Sequence, residues 1–158
     1  AMLLAAGLEG CLPFHFPRAR ISLGDVGSQF CGFMLAVLGV AAARFGAVPM
    51  SFLLVPMLLS GVLFDVAFTL LRRLLAGENL AQAHRGHLYQ LVQRAGMDAR
   101  RVAVIHWLFA ALGGLVALAS ARAPQPLLPL GPLLLLAVQA GWAAYVVRRA
   151  RASAIGAW

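Results

Sequence analysis

Four apolar runs constrain this chain more than any other feature. Each has the length of a membrane-spanning helix, which needs about 20 residues to cross the hydrocarbon core. The runs occupy residues 26–45, 50–71, 102–121 and 127–147. The apolar start, residues 1–12, is too short to span and reads as the end of another helix. The sequence therefore predicts an all-α, polytopic transmembrane helical bundle with four full spans and the end of a fifth.

The composition is typical of a membrane protein. Of the 158 residues, 62% are hydrophobic and 11% are charged, and the mean hydropathy is +0.87. Soluble domains average about 45–50% apolar and about 25% charged residues. We therefore expect residues 1–158 to form a single integral-membrane domain. Because the chain starts inside an apolar helical pattern, we also expect it to be the C-terminal part of a longer protein.

The positions of the basic residues predict the orientation of the spans. All thirteen are arginine, and eleven lie in the segments 12–24, 72–101 and 148–158. Only Arg44 and Arg122 lie in the two alternate loops. Positive loops remain in the cytoplasm, so these three segments are expected on that side. Orientation explains the net charge of +8 better than nucleic-acid binding does. We therefore expect membrane lipids, and no nucleic acid, as partners.

The cytoplasmic segment 72–101 contains a helical repeat of apolar residues. The repeat consists of Leu88, Leu91, Val92 and Ala95. This spacing predicts an amphipathic helix lying at the membrane interface. Gly96 is expected to end that helix, and Asp98 to cap the next one.

An acidic residue stands at the start of the first span, in the stretch Gly24-Asp25-Val26-Gly27-Ser28. A carboxylate at the mouth of a membrane helix is costly unless something uses it. A helix N-terminus offers N–H groups and a positive dipole end to a phosphate. Because Asp25 alone would repel that phosphate, a bridging divalent cation is the simplest reconciliation. The alternative is that Asp25 only caps the helix.

Asp65 is a second acid within an apolar run. It lies seven residues before Arg72, which places it about 10 Å inside the cytoplasmic end of the second span. One interpretation is a structural ion pair with Arg72, two helical turns away. The other is a metal ligand, or a carboxylate that positions one.

His84, Arg85 and His87 follow on the next loop. Arginine matches phosphate oxygens in a bidentate way, so the three side chains suit phosphate binding. A zinc site is less well supported because no third ligand is evident nearby. The alternative is a solvated basic loop attracted to anionic lipid. His106 is expected to be an interfacial histidine, and Gly113-Gly114 to pack helices together.

The predicted topology brings these polar residues to one membrane face. Asp25 and Asp65 both lie near cytoplasmic ends of spans, and the histidine loop follows on the same side. Two carboxylates, two imidazoles and an arginine suit a substrate with one phosphate in the cytosol and another on a lipid.

Two stretches resemble the bacterial polyprenyl-phosphate N-acetylhexosamine-1-phosphate transferases of glycosyltransferase family 4. PFHFPRARISLGDVGS at residues 13–28, continued by QFCGFMLAVLG, is similar to the signature loop of that family. DVAFTLLRRLLAGENLAQAHRGHLYQ at residues 65–90 resembles its later loop. The HRxHxYQ form of that loop resembles the branch that begins O-antigen or other surface polysaccharides.

The resemblance implies an enzyme of the bacterial inner membrane with cytoplasmic active-site loops and C-terminus. It would transfer a sugar-1-phosphate from a UDP-N-acetylhexosamine to undecaprenyl phosphate and release UMP. It would require Mg²⁺, with Mn²⁺ as an alternative ion. Asp25 would be the catalytic, magnesium-associated aspartate. His87, together with His84 and Arg85, would contact the phosphates of the nucleotide sugar.

The chain departs from the family pattern at three points. His15 stands where the family usually has asparagine, and Ser22 where it has an aromatic residue; both lie in the nucleotide-facing loop. The adjacent aspartate pair of the family belongs to an earlier cytoplasmic loop and does not occur in these residues. The alternatives to an active transferase are a non-catalytic membrane subunit or transporter and an inactive remnant. Glycine and alanine faces suit packing within or between chains, so a homodimer is left open.

Overall fold

The computed structural model describes residues 1–17, 19–21, 23–45, 51–82 and 84–153. All regular secondary structure in those residues is helical, which confirms the all-α prediction. The chain forms two compact units, Ala1–Val55 and Pro56–Trp158, and each is described by itself. That residues 1–158 form one membrane domain stays a prediction.

The first unit consists mainly of two helices. Helix α1 covers Met2–His15 and α2 covers Gly24–Phe45. A short 3-10 helix, Ser51–Leu53, packs against α2. Helix α1 continues past the predicted end at residue 12, with Pro13 inside it. A proline so close to the C-terminal end removes one N–H bond but does not prevent the last turn.

The second unit is built from α3 to α7, the boundary between the units falling within α3. The helices are α3 (Leu54–Leu58), α4 (Ser60–Leu75), α5 (Leu88–Arg94), α6 (Ala99–Ser120) and α7 (Leu130–Ala152). A 3-10 turn, Gln125–Leu127, precedes α7. Among the described residues, three helical segments are long and apolar enough to cross a membrane: Gly24–Phe45, Ala99–Ser120 and Gln125–Ala152. These correspond to the first, third and fourth predicted spans.

The second predicted span, residues 50–71, is not one continuous helix. Residue 50 lies outside the described residues, and the rest is divided into a 3-10 turn, α3 and α4, with a break at Leu59. Pro56 has no N–H to donate to the Phe52 carbonyl, so a regular α-helix cannot run from the 3-10 turn into α3. Helix α6 packs closely here, since a Cβ atom at Gly113 would overlap the Met57 carbonyl. This contact confirms the packing role expected of Gly113.

Helix α5 turns its apolar face into the core of the second unit and its polar face outward. Its apolar residues Leu88, Leu91 and Val92 are fully buried. They form a core with Val102 of α6 and with residues of α7. The prediction of the helix and of its end at Gly96 is confirmed, since Gly96 has a φ of 88°. Neighbouring helices cover the apolar face, and the position of the helix at the membrane interface stays a prediction.

Helix α4 has a buried polar face and an exposed apolar face. Gly61, Asp65, Thr69 and Arg73 follow one another at intervals of four residues and are all buried. The opposite side exposes large aliphatic residues: Val62, Leu63, Val66, Leu70, Leu71, Leu74 and Leu75. This is the arrangement expected of a membrane helix, in which polar side chains face the interior of the helix bundle and aliphatic side chains face lipid.

Candidate active site

Asp25 lies in the first turn of α2 and is exposed. Gly24 precedes it with a φ of 67°, a left-handed conformation that favours glycine. The Ser28 hydroxyl donates to the backbone carbonyl of Asp25 at 3.1 Å. Among the described residues, no hydrogen bond engages the Asp25 carboxylate. The acid therefore stands at the N-terminal end of an apolar helix and remains available to a ligand.

His15 lies at the C-terminal end of α1 and not in the loop that was expected. Its Nδ1 is 2.8 Å from the Cys11 carbonyl oxygen. Because a carbonyl only accepts, Nδ1 carries the proton. Its Nε2 is buried without a hydrogen-bond partner in the described residues. Ser22, the other predicted residue of the nucleotide-facing loop, lies outside the described residues.

Asp65 holds the start of α5 from inside the second unit. The residue is 4% exposed. Its Oδ1 accepts the Leu88 N–H at 2.9 Å, and its Oδ2 accepts the Tyr89 N–H at 3.1 Å. Thr69 Oγ1 donates to Oδ1 at 3.1 Å, and His87 Nδ1 lies 3.2 Å from the same oxygen. These donors occupy both oxygens, which favours a structural role for Asp65 over metal binding.

The histidines of the loop lie close together beside this carboxylate. The ring centroids of His84 and His87 are 4.9 Å apart, and those of His87 and Tyr89 are 5.9 Å apart. The Arg85 side chain is exposed, and its carbonyl accepts a hydrogen bond from Arg94 at 3.4 Å. The structure thus brings Asp65, His84 and His87 together. Their convergence with Asp25, which belongs to the other unit, stays a prediction.

Arg73 ties the loop after α4 to that helix. Although charged, it is only 3% exposed. Its guanidinium donates to Glu78 at 2.8 Å and to the backbone carbonyls of Asn79 and Leu80. Arg72 forms a second ion pair with Glu78 at 3.4 Å. The two arginines, expected to act as orientation signals, therefore also organise the loop that leads to the histidines.

This loop also changes the protonation of its own side chains. The hydrogen bond from Arg73, with the charges of both arginines, lowers the pKa of Glu78 below its usual 4.5. Desolvation and the nearby charge of Arg73 lower the pKa of His84 below its usual 6.5. Near neutral pH, Glu78 is therefore ionised and His84 is mostly neutral.

A cleft of about 470 Å³ opens beside Asp65, between α4, α5 and α6. Its polar lining includes His87, Tyr89, Gln93 and His106, and its apolar wall comes from α4 and α6. His106 Nδ1 donates to the Val102 carbonyl at 2.9 Å, which leaves Nε2 as its other polar atom. The sequence had suggested only an interfacial position for His106.

The described residues do not form a closed metal cage. No group of three or more histidine, cysteine, aspartate or glutamate side chains that could hold a metal occurs among them. Mg²⁺ usually keeps several waters and binds one or two carboxylates together with substrate phosphates. The exposed Asp25 fits such a shared site, in which the substrate supplies further ligands.

Comparison with known proteins identifies the family. The sequence model described as "Glycosyl transferase family 4" matches residues 1–43, a segment that includes Asp25. The "Decaprenyl-phosphate N-acetylglucosaminephosphotransferase" of Mycobacterium tuberculosis is 34% identical over 132 residues, which cover 77% of this chain and 32% of the relative. The chain belongs to glycosyl transferase family 4.

Two further named sugar-phosphate transferases match a similar share of the chain. The Mycobacterium leprae protein of the same name is 33% identical over 77% of the chain and 32% of its own length. The "Probable undecaprenyl-phosphate N-acetylglucosaminyl 1-phosphate transferase" of Bacillus subtilis is 25% identical over 68% of the chain and 30% of its own length. The chain spans about a third of the length of these relatives. No solved structure matches it significantly.

Several residues of the candidate site were not found from the sequence. Arg73, Tyr89 and Gln93 were not singled out, although one signal was available for the first. The interval of four that joins Asp65, Thr69 and Arg73 marks a polar stripe along one face of a helix. Tyr89 and Gln93 gave no comparable signal, because their position beside the cleft depends on how α5 packs.

Proposed function

We propose that the protein containing this chain transfers a sugar-1-phosphate from a nucleotide sugar to a polyprenyl phosphate. The donor is a UDP-N-acetylhexosamine and the acceptor is undecaprenyl phosphate. An oxygen of the lipid phosphate attacks the β-phosphorus of the donor, the bond from that phosphorus to UMP breaks, and UMP leaves. The product is a lipid-linked sugar pyrophosphate that initiates a cell-surface polysaccharide.

The observation that carries this proposal is the similarity to named sugar-phosphate transferases. The mycobacterial relatives are named for decaprenyl phosphate and the Bacillus relative for undecaprenyl phosphate, and each name includes N-acetylglucosamine. Their matches extend over two thirds of the chain or more. A polyprenyl acceptor also agrees with the three helical segments that are long and apolar enough to span a membrane.

Asp25 is the residue proposed to act in catalysis. It is exposed in the first turn of an apolar helix, next to a glycine with positive φ. Together with substrate phosphates, it would hold Mg²⁺, which neutralises phosphate charge when bound. Phosphoryl transfer depends mainly on positioning and charge neutralisation. A carboxylate at a helix N-terminus would contribute to both, because it would position the Mg²⁺ that neutralises the phosphate charge.

The loop of His84, Arg85 and His87 is proposed to bind the phosphates of the donor. Arg85 is exposed and can pair with phosphate oxygens, and the two imidazoles lie 4.9 Å apart between ring centroids. His15 and Ser22 are proposed to face the nucleotide. The arginine distribution supports a bacterial inner-membrane protein whose active-site loops and C-terminus are cytoplasmic.

The test is a transfer assay on membranes that carry the natural gene encoding this chain, with all of its upstream coding sequence. Radiolabelled UDP-N-acetylhexosamines and undecaprenyl phosphate are supplied, and lipid-extractable label and released UMP are measured. Equal amounts of both products, lost on chelation of Mg²⁺ and in Asp25→Asn, are expected. Absence of transfer from the whole series of UDP-N-acetylhexosamines would overturn the proposal and favour a non-catalytic subunit or an inactive remnant.

A further inference from the structure

The Asp65 carboxylate receives two backbone N–H groups on two different oxygens. Leu88 N donates to Oδ1 and Tyr89 N donates to Oδ2. Both N–H groups belong to the first turn of α5, where a helix has no internal acceptors for them. Asp65 therefore caps α5 from another helix, 23 positions earlier in the sequence than Leu88.

The same carboxylate also determines the state of the His87 ring. Nδ1 of His87 lies 3.2 Å from Oδ1, so Nδ1 is protonated and donates. Nε2 is then the ring nitrogen left for a ligand. The His87 side chain is 23% exposed and lines the cleft beside α5. Asp65 thus determines the tautomer of the imidazole, and its bonds to the Leu88 and Tyr89 N–H groups fix the backbone next to His87.

An amide cannot replace this carboxylate. Asparagine has a single acceptor oxygen, whereas the two N–H groups approach two separate oxygens. Whichever way the amide is turned, its NH₂ group faces one backbone donor, and that N–H loses its acceptor. With its oxygen at the Oδ1 position, the amide keeps the bonds from Leu88, Thr69 and His87. The Tyr89 N–H is then the donor that loses its acceptor. The Asp65→Asn substitution therefore perturbs the start of α5 with almost no change in side-chain shape.

The geometry points to Asp65 as the positioning residue of His87. It fixes both the ring nitrogen, Nε2, that His87 leaves for a ligand and the helix start from which His87 projects. This assignment rests on the proposed function for the role of His87, but the positioning itself concerns only residues of the second unit. Asp65 does not touch the substrate in this assignment.

A double-mutant cycle measures whether Asp65 acts through His87. Transfer is assayed on the protein expressed from its natural gene, as wild type, Asp65→Asn, His87→Gln and the double variant. Each single variant is expected to lower kcat/KM for the nucleotide sugar about tenfold or more, and Asp65→Asn to cost less than about twofold in the His87→Gln background. The KM for undecaprenyl phosphate should stay within about twofold throughout. Independent, additive losses would overturn the assignment.

Asp98→Asn is the matched control for this cycle. Asp98 is an exposed acid at the N-cap of α6, and asparagine caps helices as well as aspartate does. The substitution removes the same charge at the residue before α6 and leaves the bonds at the start of α5 in place. Its kcat/KM should stay within about twofold of wild type. A loss as large as that of Asp65→Asn would show that charge alone, and not positioning, explains the effect.

A spectroscopic measurement decides the positioning without reference to activity. The protein is labelled with ¹⁵N-histidine, reconstituted in lipid, and examined by NMR at pH 8, with the His87 signals assigned by their loss in His87→Gln. Wild type is expected to show the Nδ1–H tautomer at His87, and Asp65→Leu, which has no acceptor oxygen, a shift toward the Nε2–H form. An Nε2–H tautomer in wild type would overturn the positioning. If wild type is inactive with the expected tautomer, only the proposed function fails.

Discussion

The two aspartates near the ends of apolar helices have opposite environments. Asp65 is buried in α4, and both of its oxygens accept hydrogen bonds from the protein. Asp25 is exposed at the start of α2, and its carboxylate has no hydrogen bond among the described residues. In the sequence they look alike, since each is a single acid in or beside an apolar run.

The difference shows how to separate a structural acid from a reactive one. A carboxylate whose lone pairs are taken by protein donors has little capacity left for a metal or substrate. A carboxylate presented at a helix end without such donors keeps that capacity. We therefore expect changes at Asp25 to affect chemistry and changes at Asp65 to affect structure first and chemistry through it.

The largest expected effect is the loss of transfer in Asp25→Asn. Removing a carboxylate that neutralises charge through a metal should lower kcat by about 100-fold or more. Because Asp25 is exposed, the thermal midpoint in detergent should stay within about 1 °C of wild type. The measurement pairs the transfer assay with a thermal-unfolding curve. A variant that keeps its activity would return Asp25 to the role of a helix cap.

Asp65→Asn, unlike Asp25→Asn, is expected to lower the free energy of unfolding. One backbone N–H of α5 loses its acceptor, which costs about 1–3 kcal/mol of unfolding free energy. Chemical denaturation of the reconstituted protein, followed by tryptophan fluorescence, would measure the cost. Thr69→Val removes one donor and leaves both backbone bonds in place, so it should cost about 1 kcal/mol or less. Equal losses in the two variants would contradict the capping argument.

Arg73→Gln tests the loop that connects α4 to the histidines. The substitution removes the hydrogen bonds that the Arg73 guanidinium donates to Glu78 and to two backbone carbonyls. Residues 76–82 and 84–87 should become more mobile, and trypsin should cleave after Arg85 about three- to tenfold faster, since local opening governs proteolysis. Arg148→Gln, at an exposed arginine of α7, is the matched control and should leave that rate unchanged.

The smallest expected effect is a dependence of loop order on pH. The pKa of Glu78 is lowered, so the contribution of its ion pairs is fully present above pH 4.5 and is lost as the pH falls through its folded-state pKa. The pKa of His84 is also lowered, so the unfolded chain takes up that proton first. Proton uptake by His84 therefore also weakens the folded state, beginning as the pH falls below about 6.5.

A spin label at the exposed position 81 would follow this change in the loop. Label mobility should rise on acidification from pH 7.5, first below about 6.5 and again below about 4.5. His84→Gln should remove the first step and Glu78→Gln the second. Mobility that falls on acidification would contradict the sign of both pKa shifts.

The sequence predicted the helices that depend on local pattern. Apolar length located α2, α6 and α7, and the spacing of Leu88, Leu91 and Val92 located α5. Gly96 ends α5 because its positive φ suits the residue after a helix. These features depend on neighbours within a few residues, which the sequence shows directly.

Features that depend on distant contacts were predicted less well. The apolar face of α5 would suit a membrane surface or a helix core equally, and only packing against α6 and α7 decides for the core. The partners of Asp65 are mainly backbone N–H groups, which have no signature in the sequence. The break near Pro56 was visible in principle, but the apolar length of residues 50–71 outweighed it.

The most direct test of this account is hydrogen exchange at the first amides of α5. Mass spectrometry of the protein in lipid would follow deuterium uptake at Leu88 and Tyr89 in wild type, Asp65→Asn and Asp25→Asn. We expect slow exchange in wild type and Asp25→Asn, and exchange about tenfold faster or more in Asp65→Asn, where one amide has lost its acceptor. Equal exchange in all three proteins would contradict the claim that Asp65 holds the start of α5.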